Sequence, residues 1–152
     1  MKLDTVDTHL LHLIQDDCKK TTKAYAQELG LSSTAVYERI KRLEREGVIQ
    51  KYVALLDKNK VGRAFTVLCH VKLIQHVKEN VQQFEKEVLK LEEVSECFHV
   101  SGDYDYILKI YVQDMRAYRE FMVTKLTAIQ NIGSTQSSFV ISEVKHTTAL
   151  AL

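Results

Sequence analysis

The stretch Leu29–Tyr52, LGLSSTAVYERIKRLEREGVIQKY, contains a short helix with a glycine turn at each end. Val36, Ile40 and Leu43 recur at intervals of four and three residues, which places them on one face of that helix. The other faces carry polar and cationic residues, namely Thr34, Tyr37, Glu38, Lys41 and Arg45, with Arg39 and Arg42 on the flanks. The sequence therefore predicts an amphipathic helix whose charged side lies outside the core.

Two further helices are predicted before this one. Residues 4–16 place apolar side chains at helical spacing, and a second helix begins near Thr22 and ends at Gly30. Three helices in the first 50 residues, with a glycine turn between the second and third, predict a helix-turn-helix. The segment VIQKYVALLD, residues 48–57, is predicted to follow as a strand that serves as a wing or linker.

The second half of the chain predicts the order β-α-β-β-α-β. The six segments are AFTVLCHVKLI, VKENVQQFEKEVLKLEEV, VSECFHVSG, DYILKIYV, DMRAYREFMVTKLTAI and GSTQSSFVISEVK. This order is typical of a ferredoxin-like domain, in which four antiparallel strands carry two helices on one face. The predicted fold class is therefore α+β, with a helix-turn-helix domain at 1–50, a strand or linker at 51–63 and a ferredoxin-like domain at 64–152.

One strand of this sheet, residues 107–112, is apolar on both of its alternating sets. The helices cover only one face of the sheet, so we expect the other face to meet another subunit rather than water. The sequence thus predicts a homo-oligomer.

Composition excludes several classes of protein. The longest apolar runs, such as YVALL and FTVLCHV, are too short to span a bilayer, so no membrane partner is expected. The start, MKLDTVDTHL, lacks the apolar core of a signal peptide and predicts a cytoplasmic protein. Cys18, Cys69 and Cys97 are odd in number and widely spaced, which favours free thiols over disulfides or a zinc site.

Charge is unevenly distributed although the net charge is only +1. Residues 18–51 contain four acidic residues, Glu28, Glu38, Glu44 and Glu46, against eight basic ones: Lys19, Lys20, Lys23, Arg39, Lys41, Arg42, Arg45 and Lys51. This local excess permits a polyanionic partner without requiring one.

Four blocks of the sequence resemble the leucine-responsive regulatory protein/AsnC (Lrp/AsnC) family of transcriptional regulators. They are LDTVDTHLLHLIQDD, LGLSSTAVYERIKRLEREGVIQKYVALLD, SECFHVSGDYDYILKIYVQDMRAYREFM and SSFVISEVKHTTALAL. The resemblance implies a winged helix-turn-helix, a regulatory (RAM-type) domain and sequence-specific binding of double-stranded DNA in the nucleoid. It also implies dimers that associate into octamers or related rings, with an effector, usually an amino acid, bound between dimers.

The third helix is the candidate DNA reader. In a major groove about 12 Å wide, its first turns would present Ser33, Thr34, Tyr37, Glu38 and Lys41 to base edges, with Ser32 as the cap. Phosphate contacts are expected from Arg39, Arg42, Arg45, Lys19 and Lys20. The alternative is a solvated face with Glu38–Arg42 and Lys41–Glu44 helix pairs.

The loop Gly102–Asp105 is the candidate effector-response element implied by the resemblance. A free amino acid needs an acceptor for its ammonium, which suits Asp105, and donors for its carboxylate, which suit the amides near Gly102. Asp103 and Tyr104 complete the loop, and Ser134, Thr135, Gln136 and Ser138 could add contacts from a neighbouring subunit. The alternative is an ordinary hairpin turn with side-chain bonds to its own amides.

Catalysis and metal binding are not expected. His9 and His12 form a pair one helical turn apart, but a metal needs three or four ligands. No nucleophile–base spacing or phosphate loop is present, so the sequence predicts neither an enzyme nor a cofactor. Two alternatives remain: a sirohaem-decarboxylase-like enzyme on the same architecture, and a sensing or scaffold protein whose helix-turn-helix only mediates contacts.

Overall fold

The structure, a computed structural model, describes residues 2–152. It divides into a helical unit, residues 2–55 with 144–152, and a sheet unit, residues 56–143. The helical unit contains α1 (Thr5–Asp16), α2 (Thr22–Leu29) and α3 (Ser33–Arg45). The sheet unit contains β1 (Phe65–Leu73), α4 (Lys78–Val88), β2 (Val94–His99), β3 (Tyr106–Val112), α5 (Met115–Phe121) and β4 (Ile132–Phe139).

The three predicted helices of the helical unit are confirmed. They enclose one core of Leu10, Leu11, Ile14, Tyr25, Ala26, Val36 and Leu43. Gly30 ends α2 with φ at +65°, a left-handed conformation that glycine adopts without strain. Ser32 then caps α3 through a hydrogen bond in which its Oγ accepts from the Ala35 N–H at 3.1 Å.

The segment after α3 corrects one prediction. Residues 48–57 do not form a strand within the described chain, although their sequence has strand-like composition. Val53, Leu55 and Leu56 are 56%, 62% and 71% exposed. A strand forms only when a neighbouring backbone pairs with it, and the described sheet consists of β1 to β4 alone.

The last nine residues pack with the helical unit and not with the ferredoxin-like domain, for which the sequence predicts bounds of 64–152. The Gln15 Nε2 donates to the Leu150 carbonyl at 3.0 Å, and the Leu150 N–H donates to Gln15 Oε1 at 2.7 Å. Leu150 and Leu152 line an apolar cavity of about 650 Å³ together with Leu11 and Ile14. The tail therefore belongs to the α1 side of the helical unit.

The sheet unit confirms the predicted ferredoxin-like arrangement. Its strands lie in the order β2-β3-β1-β4, and every neighbouring pair is antiparallel. Both helices pack on one face, where Phe84 of α4 and Phe121 of α5 join Val67 and Leu108 in a single core. Two elements end earlier than the sequence predicts. Helix α5 ends at Phe121 and continues as a π-helical turn, Met122–Leu126, and strand β4 ends at Phe139.

Within the sheet unit, residues 56–143, neither α4 nor α5 covers the opposite face of the sheet. Residues of β3 alternate between buried and half-buried, so Ile107 and Tyr111 lie on the uncovered face. Phe98 stands beside Ile107 on β2 and is 50% exposed. The predicted apolar character of both faces of β3 is therefore present in the structure.

The start of α1 makes the helical unit sensitive to acid. Asp4 accepts the Asp7 N–H at 2.7 Å, Asp7 accepts the Asp4 N–H at 3.2 Å, and Arg39 lies 2.7 Å from Asp4. The hydrogen bond from the Asp7 amide, followed by that from Arg39, lowers the pKa of Asp4 below its ordinary value of 3.8. The folded chain therefore binds this proton more weakly than the unfolded chain does.

We accordingly expect the ionised Asp4 carboxylate to stabilise the fold fully above pH 3.8, the pKa of an ordinary aspartate. This stabilisation should be lost as the pH falls through the lowered pKa of Asp4 in the folded chain. Acid titration of helical circular dichroism measures the loss. Asp4→Asn retains a capping oxygen but cannot titrate, so its stability should change less over the same range. Superimposable acid titrations of the two proteins would contradict the assignment.

Candidate functional site

The outer side of α3 is exposed along its first three turns. Ser33, Thr34 and Glu38 are exposed, and the Tyr37 ring is 49% exposed. The ammonium of Lys41 lies 5.7 Å from the centre of that ring and 2.8 Å from Glu44. The structure thus brings the predicted base-contacting residues together on one accessible surface.

One of the two helix pairs of the alternative reading is present. Lys41–Glu44 forms, but Arg42 does not pair with Glu38. Within residues 2–152, Glu38 makes no ion pair, so its carboxylate is available to a cytosine amino group or to solvent.

Arg39 and Arg42 have an intramolecular role that the sequence analysis missed. Both approach the carboxylate of Asp7, at 2.6 Å from Arg39 Nη1 and 2.5 Å from Arg42 Nη2. Asp7 is only 1% exposed, so the two guanidinium groups supply the charge that its burial requires. This cluster fastens the start of α1 to α3. Its partners are more than 30 residues apart, and no local pattern indicates it.

The remaining predicted phosphate contacts differ in availability. Lys20 pairs with Glu28 at 3.0 Å. Lys19 is exposed just before α2, and its backbone N–H donates a hydrogen bond to Asp17 Oδ1 at 2.9 Å. Arg45 is 72% exposed and lies 3.5 Å from Glu46. Lys19 and Arg45 are therefore the cations of this set that reach furthest into solvent.

The Gly102–Asp105 loop joins β2 to β3, and Asp105 fastens it to the end of β1. Its carboxylate accepts the Leu73 N–H at 2.7 Å and lies 2.9 Å from His76 Nε2. Partial burial alone would raise the pKa of Asp105, but the bonds to Leu73 and His76 outweigh it and lower the pKa. The Asp105 carboxylate is thus occupied by its contacts with Leu73 and His76, whereas the Asp103 side chain is exposed.

The loop also contacts the middle of β4, at Gln136. The Tyr104 hydroxyl donates a hydrogen bond to Gln136 Oε1 at 2.5 Å. The centre of the Tyr104 ring lies 5.3 Å from the centre of the His70 ring. Side chains alternate along a strand, so Ser134, Gln136 and Ser138 share the uncovered face whereas Thr135 points to the helix side. Ser138 lies opposite Leu68, farther along the strand from the loop.

Two further observations on the described residues concern metal-ligating clusters and helix length. No three histidine, cysteine or acidic side chains among residues 2–152 converge as a metal site would require. Within that same range, every helix is too short or too polar to cross a membrane.

Comparison with known proteins covers both units. The family model for winged helix-turn-helix DNA-binding matches residues 3–50, and that for the Lrp/AsnC ligand binding domain matches residues 66–150. The leucine-responsive regulatory protein of Klebsiella pneumoniae is 37% identical over 150 residues, which cover 99% of this chain and 92% of that protein. The protein of the same name from Escherichia coli K12 has the same identity and coverage.

Two solved structures are also similar to this chain. An AsnC family transcriptional regulator from Agrobacterium tumefaciens has 34% identity and a TM-score of 0.94, with 98% of this chain and 97% of that chain covered. A transcriptional regulator from Neisseria meningitidis in complex with L-Met has 31% identity and a TM-score of 0.94, with 99% and 97% covered.

These relatives are transcriptional regulators, and none of the matches supports the sirohaem-decarboxylase alternative. The matched regions assign a winged helix-turn-helix to residues 3–50 and an Lrp/AsnC ligand binding domain to residues 66–150. The chain therefore belongs to the Lrp/AsnC family of DNA-binding transcriptional regulators.

Proposed function

We propose that the chain recognises specific operator sequences through the outer side of α3. The observation that carries this proposal is the exposed row of Thr34, Tyr37, Glu38 and Lys41 on a helix-turn-helix. An α-helix fits the major groove, and side chains of these types can bond to base edges or contact the thymine methyl group. Ser33, at the first turn, adds a hydroxyl beside the helix N-terminus.

Phosphate contacts would fix the position of this helix on the duplex. Lys19 and Arg45 are the main candidates because they extend furthest into solvent. Lys20 and the helix cap Ser32 are secondary candidates, since each already has an intramolecular partner. Arg39 and Arg42 would act mainly by fixing α3 against α1, with any phosphate contact made by their remaining N–H groups.

We further propose that a free amino acid binds at the Gly102–Asp105 loop, between dimers. Asp103, which is exposed, would accept the ammonium, while Asp105 fastens the loop to the end of β1. Tyr104 and Gln136, with Ser134 and Ser138 on the same face, offer polar contacts from the loop and β4. The similar regulator from Neisseria meningitidis was solved with L-Met, which supports an amino acid as the ligand class.

The proposal also covers how the chains assemble and where they act in the cell. The uncovered sheet face, with Phe98, Ile107 and Tyr111, supports pairing of two chains through their sheets. Dimers would associate further, up to octamers, and act without catalysis on the nucleoid in the cytoplasm. Effector binding would then couple to DNA binding by changing assembly or the placement of the helical units.

Gel retardation of the upstream region of the protein's own gene tests the proposal. The wild type should retard this fragment at low salt, and L-methionine should change the retardation. In a thermal-shift assay, a ligand at about 100 times its dissociation constant should stabilise the protein by about 2.7 kcal/mol. Asp103→Ala should weaken the response to L-methionine without altering retardation in its absence.

The outcomes separate the two parts of the proposal. Failure to retard any promoter fragment at low salt would overturn the operator assignment. Retardation with an unchanged amino-acid response in Asp103→Ala would leave DNA binding intact and remove this carboxylate from the effector site.

A further inference from the structure

The chain that follows α3 folds back on the last turn of that helix. Gly47 adopts a φ of +73°, a left-handed conformation that glycine tolerates without strain. The N–H groups of Val48 and Ile49 then both donate to the Leu43 carbonyl, at 2.9 and 3.1 Å. Residues 50–55, which we call the linker, make no backbone hydrogen bond within the described chain. Their polar attachment to α3 is made by a side chain, that of Tyr52.

Tyr52 and Lys41 bind the two oxygens of one carboxylate. The Tyr52 hydroxyl donates to Glu44 Oε1 at 3.1 Å, and Lys41 Nζ donates to Glu44 Oε2 at 2.8 Å. The Lys41 ammonium also lies 5.7 Å from the centre of the Tyr37 ring. Glu44 thus connects the linker to a side chain on the outer side of α3.

The protonation states of these three groups suit the arrangement. Burial raises the pKa of Tyr52 to about 12, and the hydrogen bond to Glu44 adds to the effect. The hydrogen bond from Lys41 lowers the pKa of Glu44 against the opposing effect of burial, and the bond from Tyr52 lowers it further. The bond to Glu44 in turn raises the pKa of Lys41. At neutral pH a phenol and an ammonium therefore both donate to an ionised carboxylate.

The contact between Lys41 and Glu44 matters for position more than for stability. The two side chains are 50% and 30% exposed, and exposed ion pairs contribute little to folding. A free lysine side chain samples many rotamers, however, and ordering it on a ligand costs conformational entropy. A lysine that Glu44 already holds loses less freedom when it binds a base. Its ammonium has three donors, so it can keep Glu44 and still bond to a base acceptor.

We propose that Tyr52 is a positioning residue for operator recognition: its hydroxyl fixes Glu44, and Glu44 holds Lys41 where the ammonium can donate to a base acceptor such as guanine O6 or N7. This inference rests on the proposed reading of DNA by α3. Tyr52 acts through Glu44 rather than by touching the DNA. The linker leads into the sheet unit at Leu56, so a displacement of the linker from α3 would release Lys41 and relax sequence preference.

Selection of bound sequences from a library of randomised DNA duplexes tests the proposal with the full-length protein. Lys41→Gln should relax base preference relative to the wild type, and the positions affected are those that Lys41 reads. Tyr52→Phe keeps the ring but removes the hydroxyl, and it should relax preference at the same positions. Its affinity for the selected duplex should fall by at least about threefold, because Lys41 must then be ordered on binding. Its affinity for a scrambled duplex should not change, since that binding depends on phosphate contacts.

Two further variants test whether Tyr52 acts through Glu44 and Lys41. Glu44→Gln keeps an oxygen for Tyr52 but removes the charge that holds Lys41, so it should reproduce the effect of Tyr52→Phe. Adding Tyr52→Phe to Lys41→Gln should cause no further loss of affinity, because the side chain to be positioned is already absent. Additive losses in the double variant would refute the proposal, since Tyr52 would then act without Lys41.

Tyr25→Phe is the matched control. It also removes a tyrosine hydroxyl from the helical unit, one that donates to the Asp17 carbonyl at 2.7 Å, but Tyr25 is buried away from the outer side of α3. This variant should lower the thermal midpoint of unfolding and keep the base preference of the wild type. Tyr52→Phe should keep the midpoint and change the preference. The same relaxed preference in both variants would show a general effect of stability and overturn the positioning role.

Failure of this inference differs from failure of the proposed function. A wild type that enriches no sequence would lack operator recognition, and both assignments would fall. Enrichment by the wild type with an unchanged profile in either Lys41→Gln or Tyr52→Phe would overturn the role of Tyr52 alone.

Discussion

Replacing Asp7 by alanine is expected to destabilise the helical unit by about 2–4 kcal/mol. The change leaves Arg39 and Arg42 without the carboxylate that both contact, at 2.6 and 2.5 Å. Removal of one partner from a buried ion pair costs about 3–5 kcal/mol in general. The side chains of Arg39 and Arg42 are 26% and 38% exposed, so water can partly replace the lost carboxylate. The expected loss of stability therefore lies toward the lower end of that general range.

Urea unfolding followed by helical circular dichroism measures this effect. Asp16→Ala is the matched control, because Asp16 is an exposed carboxylate on the same helix. It lies at the C-terminal end of α1, so its loss should change stability by no more than about 0.5 kcal/mol. A double-mutant cycle of Asp7→Ala with Arg39→Ala should give a coupling energy of at least about 1 kcal/mol. Equal stability of the Asp7 and Asp16 variants would refute the anchoring role.

Replacing Lys19 and Arg45 together by alanine is expected to weaken DNA binding on the order of tenfold at low salt. These two cations extend into solvent and have no part in the core of the helical unit. Each phosphate contact releases counterions, so the slope of log affinity against log salt should fall by about 0.9 for each cation lost per half-site. Sequence preference should remain, because phosphate contacts carry no base information.

Gel retardation or fluorescence anisotropy across a salt series provides the measurement. The control is Lys86→Ala with Arg116→Ala, which removes two exposed cations from the sheet unit. An unchanged salt slope in the Lys19/Arg45 variant would exclude both residues as phosphate contacts. Arg42→Ala is unsuitable for this purpose, because it also breaks the pair with Asp7 and would confuse lost binding with lost stability.

The parts of the fold that follow from local sequence were predictable. Helix α3 depends on the spacing of Val36, Ile40 and Leu43, and its separation from α2 depends on Gly30. These are interactions within a few residues of each other, so the pattern alone indicates them. The order of strands and helices in the sheet unit could likewise be predicted from alternating and helical periodicities.

The parts that depend on distant partners were not predictable. Residues 48–57 have the composition of a strand, but composition does not reveal whether a neighbouring backbone is available. Gln15 and Leu150 are 135 residues apart, and nothing in either segment indicates that they bond.

The candidate sites show the same division. Periodicity correctly placed Tyr37 and Lys41 on the outer side of α3. It could not show that Arg42 bends toward Asp7, because a flanking arginine has the same spacing whether it faces solvent or a neighbouring helix. Likewise, the resemblance indicated the Gly102–Asp105 loop, but only the structure shows that Asp105 binds Leu73 and His76.

The docked C-terminal tail has a consequence for limited proteolysis. In sequence order the sheet unit, residues 56–143, is inserted between two segments of the helical unit. The first and last segments of the sheet unit lie close together, because Lys58 Nζ is 3.0 Å from Glu143 Oε2. A single nick between Leu55 and Leu56 would leave the fragments associated, because residues 144–152 would still hold Gln15. Release of the sheet unit as a free fragment requires a second cut before Val144.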